Sequence, residues 1–249
     1  MATSVRRRAS RASASETTPP PDSRERLVLA AHELVVERGL SGLKVLDVAS
    51  RAHANVALIN YHFGNRDGLI DEVVRRTAAQ IAQARSERLA ALLDRSGEAS
   101  PSPRAVLRCW IDPWIENVEQ ADNREVMQLL LHVLFAADVA PSRKEHLLDA
   151  TVGVTARFLD VLGRCYPGVP REKMAWRMLC AIGASYLVLG QASPVGWGTL
   201  ASGTQQAARP RTRDAAEELV AFILGGFSAP IALGETETAG RKPRPVRKG

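Results

Sequence analysis

The sequence predicts an all-α protein of about nine helices, and three observations support this fold class. Apolar residues recur at helical spacing through most of the chain. Breaks that contain Pro and Gly, such as PGVP at 167–170, separate these apolar segments. No stretch alternates apolar and polar residues for long enough to predict a sheet, and no internal repeat is evident. The predicted architecture is therefore a set of packed helices.

The first two helices are marked by capping residues and by their apolar faces. Ser23 is a predicted N-cap of the first helix, because its hydroxyl can accept from the N–H groups of the first turn. Gly39 follows the last apolar residue of that helix and is a predicted stop. A short second helix is predicted over about 44–52.

The third and fourth helices are joined by a tight turn. Asn55 is the predicted N-cap of a third helix over about 56–62. Gly64 and Asn65 then end this helix and cap the next, which is predicted to run over about 66–94. The third helix is therefore only about two turns long.

A larger helical region follows the loop at Gly97–Pro103. Its helices are predicted at about 104–119, 123–138, 143–165, 171–190 and 212–227. Pro113 falls inside the first of them and is expected to kink it. We divide the chain into an N-terminal domain over 24–70 and a second domain over 71–233.

The two ends of the chain are predicted to be disordered basic tails. Residues 1–23 and 234–249 are rich in Pro, Ser, Thr and basic residues and lack helical periodicity. They carry net charges of +2 and +3 out of the total of +6, so the region between them is nearly neutral. Two interpretations stay open for the N-terminal arginines: they contact DNA phosphates or a minor groove, or they only keep the chain soluble. These arginines are Arg6, Arg7, Arg8 and Arg11.

Cysteine usage and hydropathy exclude several classes of protein. Cys109, Cys165 and Cys180 are far apart and odd in number, which fits neither a disulfide framework nor a C-x-x-C metal site. A reducing cytoplasm is the simplest setting. The longest apolar run, 178–190, is shorter than the ~20 residues that a membrane span needs. No apolar segment of a secretory signal is present near the N-terminus, although an Arg- and Ser-rich transit peptide remains open.

The second and third predicted helices have the spacing of a helix-turn-helix, in which the second helix enters the major groove of DNA. Ile59 and Phe63 lie one turn apart and are expected to anchor the third helix in the core. Val56, Ala57 and Asn60 are left on the other side. An Asn amide can pair with adenine through two hydrogen bonds, and small apolar side chains can contact a thymine methyl. This face is therefore a candidate surface for contacting bases.

The residues around this face are suited to DNA phosphates. The full predicted DNA-binding set is Lys44, Asn55, Val56, Ala57, Asn60, Tyr61, His62 and Arg66. Two alternatives stay open: Tyr61 is a core aromatic beside a surface imidazole at His62, and Asn60 is simply exposed to solvent.

The segment GLKVLDVASRAHANVALINYHFGNRDGLI, over 42–70, resembles the N-terminal DNA-binding domain of the TetR family of transcriptional regulators. The residues that carry the resemblance are Gly39, Asp47-Val48-Ala49, Ala52, Asn55, Tyr61-His62-Phe63 and Arg66-Asp67-Gly68-Leu69. His53 stands where the family usually has the Gly of the turn, so a left-handed conformation there would cost about 1 kcal/mol. Lys44 and Leu58 also depart from the usual Thr and small polar residue.

The resemblance implies a homodimer in which the last two long helices of each subunit form a four-helix bundle. Here these helices are 171–190 and 212–227. The second carries a stripe of apolar residues, namely Ala216, Leu219, Val220, Ile223 and Phe227. Three charged residues are expected to face water, namely Arg213, Asp214 and Glu217.

The resemblance also implies a ligand pocket in the helices that follow the fourth, whose occupancy releases the protein from DNA. The predicted lining is Leu107, Trp110, Ile111, Trp114, Met127, Leu130, Leu131, Leu134 and Met178. This lining is largely apolar, which favours a hydrophobic or aromatic effector. The alternative is that the aromatics Trp110, Trp114 and Phe135 only fill the core.

The predicted function is a sequence-specific transcriptional regulator, a repressor that a small hydrophobic effector releases from a palindromic operator. The predicted partners are operator DNA, the effector and a second copy of the chain, with no membrane, metal or cofactor. No catalytic motif emerges, because the sequence lacks G-x-S-x-G, H-E-x-x-H and a phosphate-binding glycine loop. Two alternatives remain, a ligand-independent DNA-binding protein of the same fold and a helical enzyme.

Overall fold

The computed structural model of the protein describes residues 22–120, 130, 141–189 and 212–230. The helices in this part of the chain are α1 (Ser23–Arg38), α2 (Val45–Arg51), α3 (Val56–Phe63), α4 (Arg66–Ser96), α5 (Pro103–Gln120), α6 (Pro141–Cys165), α7 (Arg171–Leu189) and α8 (Thr212–Ser228), with a 3₁₀ turn at Leu40–Gly42. These residues contain no strand, and the predicted all-α fold class is confirmed.

The first three helices pack around a shared apolar core. Leu27, Leu34, Val48, Ile59 and Leu69 are fully or almost fully buried in it. They come from α1, α2, α3 and the start of α4, so each short helix gains its stability from the others rather than from its own propensity. This packing fixes the orientation of α3.

Helix α4 belongs to both parts of the molecule. It has 31 residues, which at 1.5 Å per residue makes it about 46 Å long. Its first half packs against α1 and α3, and its later turns pack against α5 and α6. The helix runs without a break through residues 70 and 71, where the sequence-based domain boundary was placed.

Ion pairs connect both halves of α4 to their neighbours. The first half is paired with α1 through Arg24–Glu72 and Glu25–Arg76, and the second half is paired with α5 through Arg88–Glu116. These side chains are partly exposed, so each pair contributes little stability by itself. They show that the first half of α4 lies beside α1 and the second half beside α5.

Helices α5 to α8 form the second packed region. α7 packs against α8 and α6, and α8 packs against α5. The apolar stripe of α8 predicted from the sequence, including Val220, Ile223 and Phe227, is buried in this core. An amphipathic pattern shows that a stripe is buried but does not say against what. The stripe therefore packs within one subunit and is not the exposed surface of α8.

Most predicted helix ends lie within two residues of the observed ones. Gly39 ends α1 with φ at 69°, and Asn65 caps α4 by accepting from the N–H of Gly68. The prediction that Ser23 is the N-cap of α1 was wrong, because Asp22 caps this helix: its carboxylate accepts from the N–H of Arg24. Helix α5 continues through Pro113.

One predicted helix, 123–138, lies outside the described residues except for Leu130, which is helical and buried. Within the described ranges no helix has the length and apolarity to cross a bilayer. The same ranges contain no group of three or more His, Cys, Asp or Glu side chains that could hold a metal ion. The three cysteines are free thiols.

Candidate nucleic-acid interface

The turn between α2 and α3 is held by local hydrogen bonds. Ala52 ends α2, and His53 adopts a left-handed conformation with φ at 48°. The expected left-handed geometry at His53 is therefore present without a glycine. Asn55 then caps α3, as predicted, because its Oδ1 accepts from the N–H of Ala57 at 2.9 Å.

Charged hydrogen bonds fasten α2 to α1. Arg51 donates to both carboxylate oxygens of Glu37, at 2.6 and 2.8 Å. This bidentate contact lowers the pKa of the Glu37 carboxyl. Arg38 donates to Asp47 at 3.0 Å on the same side. The helix that precedes the turn is therefore fixed to α1 from outside as well as through the core.

One side of α3 is packed and the other is open. Ile59 is fully buried, as predicted. Phe63 is only partly buried, and Leu58 packs against the same core. Val56 also packs partly against the core, which differs from the prediction that it lies on the open side. The exposed residues are Ala57, Asn60 and Tyr61, which we call the free face of α3.

Tyr61 is the most exposed aromatic on this surface, with 81% of its area accessible. Its ring meets the His62 ring edge-on, with centroids 5.0 Å apart. The core alternative for Tyr61 is therefore excluded. The free face of α3 thus presents an aromatic ring beside the amide of Asn60.

His62 lies in a different environment from Tyr61. Its Nε2 is 3.1 Å from the hydroxyl oxygen of Ser23, and that hydroxyl donates to Asp22. Because the hydroxyl proton is used by Asp22, the Ser23 oxygen accepts from Nε2–H of His62. The imidazole therefore joins the end of α3 to the start of α1.

Arg66 has a similar internal role. Its Nε donates to the carbonyl of Leu43 at 3.0 Å, and its Nη2 donates to the carbonyl of Leu40 at 2.8 Å. These carbonyls precede α2, so Arg66 braces the entry to the helix-turn-helix. Lys44, in contrast, is exposed and has no ion-pair partner among the described residues.

The predicted pocket residues that the structure describes are brought together. Leu107, Trp110, Ile111, Trp114, Leu130 and Met178 are all buried in the core of the second region. The Trp110 ring meets Phe158 edge-on at 5.0 Å, and the Trp114 ring meets Tyr186 at 4.5 Å. Met127, Leu131, Leu134 and Phe135 lie outside the described residues.

Arg85 also lies in this core, and the sequence analysis missed it. It is only 5% exposed and donates to the carbonyl of Trp110 at 2.8 Å. The signal was present in the sequence, because Arg85 follows Ile81 and precedes Leu89 by four residues, on one apolar stripe of α4. A charged residue on such a stripe indicates a buried charge.

Exposed large apolar side chains are also present on each of the last two helices. Trp176, Leu179 and Leu187 of α7 are exposed, and Phe222 of α8 is 72% exposed. The three residues of α7 share one side of the helix, since their spacings of three and eleven are near whole turns. We call these four residues the apolar outer face. Arg213, Asp214 and Glu217 are exposed, as predicted.

Two family models match the chain. The model described as "Bacterial regulatory proteins, tetR family" matches residues 27–73. The model described as "Tetracyclin repressor-like, C-terminal domain" matches residues 108–226. Together they cover α1 to α3 with the start of α4, and most of α5 to α8.

Curated relatives and solved structures resemble the chain more distantly. The HTH-type transcriptional regulator BetI 1 of Chromohalobacter salexigens is 23% identical over 120 residues, which cover 44% of this chain and 59% of that protein. The chain thus spans about three-fifths of the length of such relatives.

Two solved structures share the fold. A TetR-like transcriptional regulator from Rhodococcus sp. RHA1 is 15% identical, with a TM-score of 0.51 and coverage of 86% of this chain and 100% of that one. The multidrug binding protein EbrR, complexed with malachite green, is 19% identical, with a TM-score of 0.50 and coverage of 82% and 98%.

Proposed function

The chain belongs to the TetR family of transcriptional regulators, and we propose that it is a repressor that a small, largely hydrophobic effector releases from a palindromic operator. The observation that carries this proposal is the free face of α3. The buried Ile59, the Asn55 cap and the His62–Ser23 contact hold α3 in place, and the outward side chains of its free face are an amide, a phenol and a methyl group. A rigid helix with such a face suits the major groove.

Each residue of the free face has a distinct proposed role. The Asn60 amide pairs with an adenine edge, and the Ala57 methyl contacts a thymine methyl. Tyr61 lies beside Asn60 toward the end of α3, where its hydroxyl donates to a phosphate. Val56 contributes only the part of its side chain that the core leaves open.

The phosphate-contacting set is smaller than the sequence alone suggested. Lys44 is free to bind a phosphate, since its side chain is exposed at the start of α2. Asn55, His62 and Arg66 already have partners inside the protein. We propose that these three act mainly by positioning α2 and α3, while Lys44 and Tyr61 supply the direct contacts.

A symmetric dimer follows from the small size of the recognition surface. Three exposed side chains per subunit are too few for selective binding, so two copies would read two half-sites one turn of DNA or a multiple apart. The apolar outer face supports the position of the dimer contact on α7 and α8. The α8 stripe expected from the sequence is already buried within the subunit, so Phe222 takes its place in the proposed interface.

Helix α4 is the proposed connection between effector and DNA. Its first half is paired with α1, while its second half carries Arg85 and packs against α5 and α6. An effector that moves α5 against α4 would shift the three N-terminal helices together. The release of DNA is then a shift between two dimer geometries with different half-site spacing.

The effector site is proposed to lie among α4, α5, α6 and α7. The buried aromatics there support a hydrophobic or aromatic ligand. EbrR, which shares the fold, is described as a multidrug binding protein and was solved with malachite green. That likeness supports a small-molecule site within this fold, and the cytoplasm is the proposed location of the protein.

Selection of binding sequences from a random pool of DNA duplexes tests the proposal. The full chain is expected to enrich an inverted repeat, and adding a hydrophobic compound library should identify a compound that weakens binding. If no sequence is enriched at physiological salt, the proposal of a sequence-specific regulator is contradicted.

A further inference from the structure

Arg85 is a buried cation without a carboxylate partner in the part of the chain that the structure describes. Its guanidinium lies 3.7 Å from the centroid of the Trp110 ring and donates through Nε to the Trp110 carbonyl. Burial lowers the pKa of Arg85 to about 10, so the group keeps its charge at neutral pH. A buried charge is strongly destabilising unless it is paired.

The hydrogen bond to Trp110 uses only a small part of the hydrogen-bonding capacity of Arg85. A guanidinium has five N–H donors in one plane, and the carbonyl of Trp110 occupies one of them. A single backbone carbonyl can be satisfied by a neutral donor. The Trp110 ring attracts the positive charge, but the remaining N–H donors of Arg85 have no acceptor among the described residues.

A second donor lies in the same core without a partner. Trp114 is 2% exposed, and its Nε1 has no hydrogen-bond acceptor among the residues that the structure describes. Buried N–H groups rarely stay unpaired, because a donor removed from water without an acceptor destabilises the fold. Trp114 lies one turn after Trp110 on α5, so its indole is on the same side of that helix as the Trp110 ring that the Arg85 guanidinium contacts.

Tyr186 of α7 completes this group. Its ring lies against Trp114, with centroids 4.5 Å apart, and the charge of Arg85 acts on its phenol. Burial raises the pKa of the Tyr186 phenol, which is therefore neutral at pH 7. We call Arg85, Trp114 and Tyr186 the buried polar cluster. Phe158, whose ring contacts Trp110, and Met178 are buried in the same core.

We propose that Arg85 and Nε1–H of Trp114 hold the anionic group of an amphipathic effector, a carboxylate or similar oxyanion on an apolar aromatic or aliphatic body. The inference rests on the proposed function and narrows its effector from hydrophobic compounds in general to hydrophobic anions. The oxyanion neutralises the guanidinium and accepts from the indole N–H. The apolar body lies among the aromatic side chains of α5 and α6.

The test is isothermal titration of the full chain with matched pairs of probes at pH 7. The pairs are 2-naphthoate with 2-naphthamide, and octanoate with octanamide, in which the amide has the same body without the charge. At least one carboxylate is expected to bind about tenfold or more tightly than its amide, since hydrogen bonds to an ionised group are stronger than those to a neutral one. This comparison needs no variant, so it does not depend on how a variant folds.

Variants then assign the preference to the cluster. Arg85→Gln should weaken the preferred carboxylate about tenfold and change its amide less than about threefold. Trp114→Phe keeps the ring, removes the N–H and should weaken the carboxylate only. The matched control is Arg157→Gln. Arg157 is an exposed residue of α6 that donates to Ser86, the neighbour of Arg85 on α4, and its replacement should leave the affinity for both probes unchanged.

Three results would overturn the inference: equal binding of carboxylate and amide in both pairs, no binding of any probe, or equal loss of both probes in Arg85→Gln. The last would mean that Arg85 is purely structural. Operator binding by the same preparations separates this inference from the proposed function. A carboxylate preference without operator binding would contradict only the proposal that the protein is a repressor. Operator binding without that preference would contradict only the proposal that the effector is a hydrophobic anion.

Discussion

The Ser23 hydroxyl and the His62 imidazole lie 3.1 Å apart although 39 positions separate them in the chain. This contact joins the first residue of α1 to the last turn of α3. It places a side chain expected to contact phosphate inside the domain, where it positions the helix that carries Asn60. Helix α3 is thus held at both ends, by the Asn55 cap and by His62.

Replacing Ser23 with Ala should loosen the end of α3. The lost hydrogen bond is part-buried, so we expect about 0.5–1.5 kcal/mol less stability. Affinity for operator DNA should fall by a few fold, as measured by fluorescence anisotropy. Ser23→Thr keeps the hydroxyl and serves as the control. Equal losses in both variants would show that the hydroxyl contact does not matter.

Replacing His53 with Gly should stabilise the protein. His53 has φ at 48°, a conformation that costs a residue with a β-carbon about 1–2 kcal/mol. Glycine removes that cost but has more freedom in the unfolded chain, which leaves a net gain of about 0.5–1 kcal/mol. The free energy of unfolding in urea measures it. His53→Ala keeps the β-carbon, and a similar gain there would rule out backbone strain as the cause.

Replacing Phe222 with Glu should separate the subunits. Phe222 is 72% exposed on the apolar outer face, and a carboxylate there would be buried without a partner in the proposed dimer. Light scattering after size exclusion should give a dimer for the wild type and a monomer for Phe222→Glu.

The matched control for the dimer is Val152→Glu. Val152 is an apolar residue of α6 that is 62% exposed and lies outside the apolar outer face. This variant should remain a dimer. A monomeric wild type, or equal dissociation of both variants, would argue against the proposed interface.

Stability should depend on pH through His32. Its side chain is half-buried in α1, and burial lowers the pKa of its imidazole, with the charge of Arg76 adding to the effect. The unfolded chain therefore binds a proton more readily than the folded one near the ordinary value of about 6.5. The stability that neutral His32 contributes is therefore fully present above about pH 6.5. It is lost as the pH falls toward and through the lower pKa of His32 in the folded protein.

Urea unfolding at pH 7.5 and pH 5 measures this effect. The wild type should lose more stability between the two pH values than His32→Gln, which carries no titrating group. Because the side chain is only half-buried, solvent screening keeps the difference small. Identical pH dependence in the two proteins would show that His32 does not contribute.

The local features of the fold were predictable because they depend on neighbours in sequence. Asn55 and Asn65 cap helices through N–H groups two and three residues away, and a short polar residue before an apolar run indicates such a cap. Ser23 failed as a cap because Asp22, the residue before it, competes for the same role. Sequence cannot rank two adjacent capping residues well.

The side-chain contacts across the fold were not predictable in the same way. Arg66 looked like a phosphate ligand, but it donates to carbonyls more than twenty residues away. Nothing in the sequence indicates that Gly68 lies close to another part of the backbone. In the structure, a β-carbon at this position would lie 2.0 Å from the carbonyl oxygen of Phe63. Both depend on how α4 approaches the preceding helices, which no local pattern specifies.

The most direct test of the account is the effect of Asn60→Ala on the choice between two DNAs. Anisotropy is measured with DNA from the protein's own upstream intergenic region and with a scrambled duplex, at several salt concentrations. The wild type should prefer its own DNA by about a hundredfold or more, and Asn60→Ala should reduce that preference by about tenfold. Gln83→Ala, an exposed change on α4, should leave it intact. Equal binding of both DNAs that vanishes with salt and ignores Asn60→Ala would contradict the account, because the basic tails would then do the binding.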